Sequence, residues 1–231
     1  MLADDNFASI VSAVREGRTQ FNNLRRTSYF LIITNVAESA ALLLALGLGF
    51  PLPLLPTQIL WLNVVTGGTT DFSLALEPSH RDVMLQPPRS PKEQILSAWV
   101  LPMIGVMTTL MTIIGVAVFS FYLRENVDKA RTALFVVFSF SQLLNMFNLR
   151  SMKRSVFELG LFSNKAAVIT FFAGIGLLML ALNQPQIRQA LHFQNLRWTE
   201  LLVLAGISSV VFLITEITKK TFLRRRLANI Y

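Results

Sequence analysis

The chain has 231 residues, of which 53% are hydrophobic and only 15% are charged. Soluble domains usually carry about 25% charged residues, so this composition excludes an ordinary water-soluble domain and indicates an integral membrane protein. The chain has no cysteine, which excludes disulfides, cysteine-based metal sites and thiol catalysis. The net charge of +8 fits the Lys/Arg-rich cytoplasmic loops of a membrane protein, and we expect no nucleic-acid partner.

An amphipathic helix is predicted ahead of the first apolar segment. Asp4 or Asp5 is suited to cap its start. Apolar residues then recur at helical spacing at Phe7, Ile10, Val11 and Val14. The pattern continues toward the first apolar segment, so residues 1–27 are predicted to contain a stalk helix that stands in water and enters the membrane.

Six apolar segments follow, each close to the length of about 20 residues that a spanning helix needs. They are residues 29–50, 57–76, 94–123, 132–149, 166–187 and 198–218. Three prolines in residues 51–56 predict a tight hairpin between the first two spans, because proline cannot continue a helix interior. The predicted fold class is therefore all-α: a polytopic membrane protein in which a stalk helix precedes a six-helix transmembrane domain, residues 28–231.

The distribution of basic residues predicts the orientation of the chain. If the N-terminus, the loops 77–97 and 150–165 and the C-terminus share one side, that side carries 16 of the 21 Lys and Arg residues. Basic residues accumulate on the cytoplasmic side of membrane proteins. We therefore expect a multi-pass protein with both termini in the cytoplasm, in a bacterial-type plasma membrane.

An acidic residue lies in the middle of the first span. Glu38 follows Asn35 by three residues, so both face the same side of the helix. An ionisable group at that depth costs at least ~2.5 kcal/mol on insertion scales, which predicts a functional role. The alternative is a protonated glutamate that is hydrogen-bonded to a neighbouring helix.

Within residues 61–71 of the second span, two adjacent glycines are followed by two threonines and an acid. This composition predicts a weakened or unwound helix, and irregular backbone survives at membrane depth only where it is buried or lines a cavity. Freed carbonyls together with Glu38, Asn63, Thr66 and Asp71 would form an oxygen cage suited to an alkali or alkaline-earth cation. The alternative is a packing seam of small residues.

A family resemblance appears at this point. The chain reads Asn-Val-Ala-Glu at 35–38, Pro-Thr-Gln-Ile-Leu-Trp-Leu-Asn-Val-Val-Thr at 56–66 and Leu-Glu-Pro at 76–78. These stretches resemble the fifth and sixth membrane helices of the P-type cation-transporting ATPases, and the calcium-pump-like branch is nearest. The resemblance is specific over residues 2–78, whereas from 79 to 231 it concerns only the number of helices and the matching loops.

The start of the chain resembles the segment that leads from the phosphorylation domain of these pumps into the stalk. This resemblance assigns residues 1–27 to the end of that connection and to the stalk helix. The six spans would then correspond to membrane helices five to ten of the family.

The resemblance also implies a set of cation-ligating residues. On the fifth, sixth and eighth helices of the family, the matching positions here are Asn35, Glu38, Asn63, Thr66 and Gln142, and Asn145 lies one turn beyond Gln142 on the same face. Asp71 is out of register, although one helical turn could bring it near the site. Gly67 stands where calcium pumps carry an essential aspartate, and Gln142 stands where two-site calcium pumps carry a glutamate. Because Glu38 is then the only acid in register, a two-calcium site is not expected, and the identity of the transported cation stays open.

The motifs of ATP chemistry are absent from the sequence, which contains no D-K-T-G, T-G-E or T-G-D-G-x-N-D. ATP and Mg²⁺ are therefore expected only on the missing part of the pump, and this chain by itself should not hydrolyse ATP. Its partners would be the lipid bilayer and the N-terminal half of the pump, with the cytoplasmic domains and the first four helices. We expect the chain to be cut from a longer protein or encoded as a split or truncated gene.

The leading hypothesis is the C-terminal membrane half of an ATP-driven cation pump, with ion-coordinating residues on its first two spans. The alternatives are a self-contained secondary cation transporter or channel, and a non-transporting membrane subunit or fragment. No inverted repeat relates the first three spans to the last three, and intact Glu38, Asn63 and Thr66 argue against a decayed fragment. His80 and His192 are expected to be solvated loop residues.

Overall fold

The computed structural model of the chain describes residues 7–80, 82–85 and 94–228, with side chains as far as residue 221. Within these ranges all regular secondary structure is helical and no strand is present. The predicted all-α class is therefore confirmed. The proposed cap at Asp4 or Asp5 lies outside the described residues.

The stalk and the first span form one continuous helix, α1, from Phe7 to Gly47. Its 41 residues extend about 60 Å at 1.5 Å per residue, roughly twice the ~30 Å thickness of a bilayer core. Helix α1 is therefore long enough to cross the membrane and to extend beyond it, as the predicted stalk requires. The chain leaves the helix at Gly49, whose φ of 77° lies in the left-handed region that glycine adopts without strain.

The second span is a composite helix made of three parts. It consists of α2 (Pro56–Trp61), a π-helical segment (Leu62–Gly67) and α3 (Gly68–Ala75). The predicted unwinding at the glycine pair is absent, because Gly67 and Gly68 both keep helical backbone angles. The irregularity instead takes the form of the wider π-helical turn, which keeps the backbone groups hydrogen-bonded inside a membrane where they find no water.

The remaining helices complete the domain. They are α4 (Leu101–Leu123), α5 (Val127–Leu149), α6 (Val156–Leu159), α7 (Lys165–Asn183), α8 (Pro185–Ala190) and α9 (Trp198–Ala228). Among the described residues, α1, α4, α5, α7 and α9 are each long and apolar enough to cross a membrane. The 20 residues of the composite helix, Pro56–Ala75, extend about 30 Å, which matches the bilayer core, and the sixth crossing at this position stays a prediction.

Helix α5 is the centre of the bundle. It packs against α4, α7 and α9, and 89% of its most apolar window is buried. Two glycines allow the close approach: a Cβ at Gly115 would lie 2.6 Å from the Phe138 ring, and one at Gly174 would lie 2.4 Å from Leu143. Small residues at such contacts are typical of membrane helix packing. The central position of α5 explains why its polar side chains can reach the site described next.

Candidate functional site

Three helices converge on the carboxylate of Glu38, which is 3% exposed. Oε2 of this carboxylate accepts a hydrogen bond of 3.1 Å from Nδ2 of Asn63, in the π-helical segment. Oε1 accepts a hydrogen bond of 2.9 Å from Nε2 of Gln142, on α5. The predicted residues Glu38, Asn63 and Gln142 are thus brought into direct contact, although Gln142 lies 104 positions from Glu38 along the chain.

The side-chain amides of Asn63 and Gln142 each also carry an oxygen atom, which is an atom type that binds cations. Oε1 of Gln142 is buried and has no hydrogen-bond partner among the described residues. A 180° rotation of a side-chain amide exchanges its nitrogen and oxygen at almost unchanged shape. The same three side chains can therefore present hydrogen-bond donors to the carboxylate alone, or oxygens to a cation beside it.

Thr66 is buried in the same π-helical segment as Asn63. Its backbone carbonyl accepts hydrogen bonds from the hydroxyls of Thr69 (2.9 Å) and Thr70 (2.8 Å). Gly67, the next residue, is also buried, and a Cβ at this position would lie 3.2 Å from the carbonyl oxygen of Leu62. The π-helical segment therefore presents a polar, closely packed surface near Glu38.

The other three predicted site residues make different contacts. Asn35 is exposed, and its Nδ2 donates 2.8 Å to the carbonyl of Leu31 on its own helix. Asp71 is half-buried, and its Oδ1 has no hydrogen-bond partner among the described residues. Asn145 is buried one turn beyond Gln142, but its Oδ1 accepts from Nδ2 of Asn148 at 3.1 Å.

The described residues contain no cluster of three or more His, Asp or Glu side chains that could hold a metal ion. Among the described residues, Glu38 is the carboxylate that contacts Asn63 and Gln142, so a cation bound between these three side chains would meet one carboxylate and two amide oxygens. A site with so few charged ligands selects a cation mainly by its size and by the number of oxygen ligands that it requires. Electrostatic attraction contributes less to the selection.

A second buried polar cluster lies just past the composite helix. Glu77 and Arg150, which are both 2% exposed, form a two-point ion pair with distances of 2.9 and 3.1 Å. Asn164 donates 2.6 Å to the same carboxylate. Burial alone would raise the pKa of Glu77, but the hydrogen bonds from His80, Arg150 and Asn164 outweigh it and lower this pKa below its ordinary value.

This cluster was not predicted from the sequence, in which Arg150 is one of several basic loop residues. The Leu-Glu-Pro stretch at 76–78 was the available signal. The expectation that His80 is a solvated residue is wrong, since its Nε2 lies 3.4 Å from both Glu77 and Arg26. His192 is exposed, as expected.

The stalk contacts the end of the composite helix through Asn23, which is 2% exposed. Nδ2 of Asn23 donates to the carbonyls of Ala75 and Glu77, at 2.9 Å each. The last carbonyls of a helix have no partner within the helix and need one from outside. Asn23 therefore ties the base of the stalk directly to the helix that carries Asn63 and Thr66.

Comparison with known proteins gives relatives that are cation-transporting ATPases. The family profile for the C-terminus of cation-transporting ATPases matches residues 51–221. The chain is similar to calcium-transporting ATPase 1 of Bacillus cereus, with 38% identity over 95% of this chain and 27% of that protein. It is also similar to calcium-transporting ATPase type 2C member 1 of Mus musculus, with 35% identity over 95% of the chain and 24% of that protein. The chain thus spans about a quarter of the length of these curated relatives.

Proposed function

The chain belongs to the cation-transporting P-type ATPases, as their C-terminal membrane region, and we propose that it binds one transported cation at Glu38. The resemblance predicted from the sequence is confirmed by the family profile over residues 51–221 and by relatives aligned over 95% of the chain. ATP hydrolysis, with its Mg²⁺, belongs in this proposal to the parts of the pump that this chain lacks.

The convergence of Asn63 and Gln142 on the Glu38 carboxylate carries the proposal. A cation that leaves water must exchange its hydration shell for protein oxygens, and a regular helix has already used its carbonyls internally. Side-chain oxygens of Glu38, Asn63, Gln142 and Thr66 meet this need on three different helices. We include Asn35, Asp71 and Asn145 as further ligands. Their side chains would have to adopt another rotamer, or a neighbouring helix would have to shift, before they could contact the ion.

The nature of the ion follows from the charge of this donor set. The relatives are named calcium-transporting ATPases, but this chain carries Gly67 where the family resemblance leads us to expect an aspartate. One carboxylate neutralises a monovalent cation, whereas it leaves half of the charge of a divalent cation uncompensated in a medium of low dielectric constant. We therefore propose a single monovalent cation, or a divalent one whose second charge is neutralised by the rest of the pump.

Reconstitution tests this function. The chain would replace the corresponding region of the Bacillus cereus relative, and the hybrid pump would be sealed into liposomes with Na⁺, K⁺ or Ca²⁺. We expect one cation to stimulate ATP hydrolysis and to accumulate only when ATP is present. Cation flux through the 231-residue chain alone, down a gradient and without ATP, would instead support the self-contained transporter or channel.

The orientation is also part of the proposal. We propose that both termini and the Glu77–Arg150 cluster are cytoplasmic, because the predicted six-span topology would put 16 of the 21 Lys and Arg residues on the side of the N-terminus. The relatives from Bacillus support a bacterial-type plasma membrane as the location.

Substitution of Gly67 by aspartate should shift the ion preference toward divalent cations. The new carboxylate would lie in the π-helical segment beside Thr66, and its Cβ requires the Leu62 carbonyl to move by only a few tenths of an ångström. A second charge at roughly 4 Å contributes up to about 4 kcal/mol at a protein-like dielectric constant, so we expect at least about a tenfold gain in divalent over monovalent affinity. Cation-stimulated ATP hydrolysis of the hybrid pump measures both affinities.

The control for this substitution is Gly68→Asp. Gly68 is the next residue, is exposed, and has open space where a Cβ would lie. The Gly68→Asp variant adds the same charge on another face of the helix, so the preference between monovalent and divalent cations should not change. An equal gain in both variants would show that Gly67 does not face the bound ion.

Substitution of Asn23 by alanine should weaken the connection between the stalk and the composite helix. The buried carbonyl of Glu77 and the partly buried carbonyl of Ala75 would lose their donor, at a cost of about 1–3 kcal/mol in unfolding free energy. In the hybrid pump, the maximal rate of ATP-driven transport should fall several-fold while the cation concentration at half-maximal rate changes little. Asn22→Ala, on the adjacent half-buried residue, is the control; equal losses in both variants would contradict the role of Asn23.

A further inference from the structure

A cavity of about 550 Å³ lies at the base of the stalk, beside the loop that follows the composite helix and the loop that follows α5. The cavity is separate from the Glu38 site, and its lining is strongly basic. Among the described residues, its charged lining residues are Arg18, Arg25, Arg26, Lys153, Arg154 and Asp82. These described residues place five cationic side chains against one carboxylate, so they attract anions.

The aromatic residues of the cavity indicate its depth. Tyr29 lies on α1 one turn beyond the last basic residues of the stalk, and Trp99 lies in the turn that opens the span Ala98–Leu123. Tyrosine and tryptophan accumulate where the hydrocarbon core meets the lipid headgroups. Trp99 is half-buried, and Tyr29 is buried with its hydroxyl donating 2.8 Å to the carbonyl of Ile95. Both residues lie near the start of a span, and from this position we infer that the cavity lies at the level of the headgroups on the side of the stalk.

Hydrogen bonds to the backbone hold the arginines in the cavity wall. Nη1 of Arg18 donates 2.9 Å to the carbonyl of Val83, and Nε of Arg25 donates 3.0 Å to the carbonyl of Ile95. Arg154 forms an ion pair of 3.2 Å with Asp82. Anchored guanidinium groups lose little conformational freedom when they bind an anion, and their planar donors match phosphate oxygens.

Lys153 differs from these arginines. It is exposed, and within the described residues its ammonium group has no ion pair. A flexible ammonium group at the mouth of a basic cavity is suited to contact an anion that enters from the headgroup region.

We propose that this cavity binds the phosphate group of an anionic phospholipid headgroup. The excess of positive charge supplies the attraction, the anchored arginines supply fixed donors, and the depth of Tyr29 and Trp99 allows the acyl chains to remain in the bilayer. Inorganic phosphate offers the same oxygen atoms to the arginines, but it has no acyl chains that could add binding energy by remaining in the adjoining hydrocarbon. This proposal does not depend on the identity of the transported ion.

Binding of short-chain phosphatidylglycerol to the purified 231-residue chain in a neutral detergent tests the proposal, with bound lipids counted by native mass spectrometry. One basic residue near an anionic surface contributes about a fivefold factor in affinity. We expect Lys153→Gln to weaken binding about fivefold, and Asp82→Asn to strengthen it by a similar factor because it frees Arg154. Lys165→Gln, at an exposed lysine that begins α7 and lies outside the cavity, should leave the affinity unchanged.

Three results would contradict the proposal that the cavity binds an anionic phospholipid headgroup. Equal losses in the Lys153 and Lys165 variants would indicate unspecific attraction to the whole basic surface. Equal affinity for short-chain phosphatidylcholine would exclude recognition of the net negative charge. Equal affinity for inorganic phosphate would contradict a lipid as the occupant, because the acyl chains would then contribute nothing.

Discussion

Substitution of Glu38 by glutamine should lower the cation affinity of the reconstituted hybrid pump by at least about a hundredfold. The variant keeps the volume of the side chain and can still form hydrogen bonds with Asn63 and Gln142, so the fold should be unaffected. It removes the carboxylate that Asn63 and Gln142 contact. A unit charge about 4 Å from the ion is worth roughly 4 kcal/mol at an effective dielectric constant of 20, which exceeds what an amide oxygen restores. Cation-stimulated ATP hydrolysis, measured over a wide range of cation concentration, is the readout.

Two variants calibrate this result. Glu158→Gln removes an exposed acid on α6 and should leave the cation dependence unchanged. Gln142→Ala removes one amide but no charge, and we expect it to weaken cation binding by about tenfold, in line with the ~1–2 kcal/mol of a single polar contact. Wild-type cation affinity in the Glu38→Gln variant would contradict the proposed site.

The membrane spans could be predicted from sequence because the bilayer imposes a simple constraint on length and hydrophobicity. The boundaries were less accurate where charges occur inside helices. Helix α5 begins at Val127, five residues before the predicted start, because Asn126 caps it and Arg131 pairs with Asp128. Helix α9 continues to Ala228, ten residues past the predicted end. A helix can extend into water at either end, which hydropathy does not detect.

The contacts of Asn63 and Gln142 with Glu38 agree with the predicted grouping of these residues, whereas the different position of Asn35 has a geometric reason. Three residues turn an α-helix by about 300°, so Asn35 and Glu38 are offset by about 60°. This offset is enough for Glu38 to face α5 while Asn35 lies at the exposed edge of α1. Periodicity predicts which residues share a face, but the position of the neighbouring helices decides which part of that face is covered.

The buried charges near the ends of the spans were beyond sequence reasoning. Lys219 is 1% exposed and bonds with Glu216 at 2.7 Å and with the carbonyl of Asn148. Glu77 and Arg150 are separated by 73 positions. Counting basic residues for orientation treats each charge as solvated, whereas these charges are neutralised by partners that only the folded bundle brings near.

The Glu77–Arg150 pair leads to the second large effect. Substitution of Arg150 by methionine should lower the free energy of unfolding by about 3–5 kcal/mol, because it leaves the buried Glu77 carboxylate without its cation. Arg150 also donates to the carbonyls of Gly160 (3.0 Å) and Leu161 (3.2 Å), so the loop before α7 should loosen as well. Unfolding in mixed detergent micelles with increasing denaturing detergent measures the loss.

The matched controls separate burial from charge. Glu125→Gln breaks the exposed pair with Lys129, and surface pairs contribute only about 0–1 kcal/mol. The double variant Glu77→Gln with Arg150→Met removes both charges, so it should be more stable than Arg150→Met alone. Equal stability of the single and double variants would show that the cost comes from lost packing and not from an unpaired carboxylate.

The same pair predicts how stability depends on pH. Burial raises the pKa of Glu77, but the hydrogen bonds from His80, Arg150 and Asn164 lower it below its ordinary value in the folded protein. A group whose pKa is depressed by folding binds fewer protons in the folded state, so it stabilises the protein fully above its unfolded pKa of about 4.3. That contribution is lost as the pH falls through the lower, folded pKa. We therefore expect the wild-type protein to lose more stability than the double variant when the pH is lowered below about 4. Parallel pH profiles for the two proteins would contradict this role of Glu77, because the double variant has no carboxylate to protonate at this position.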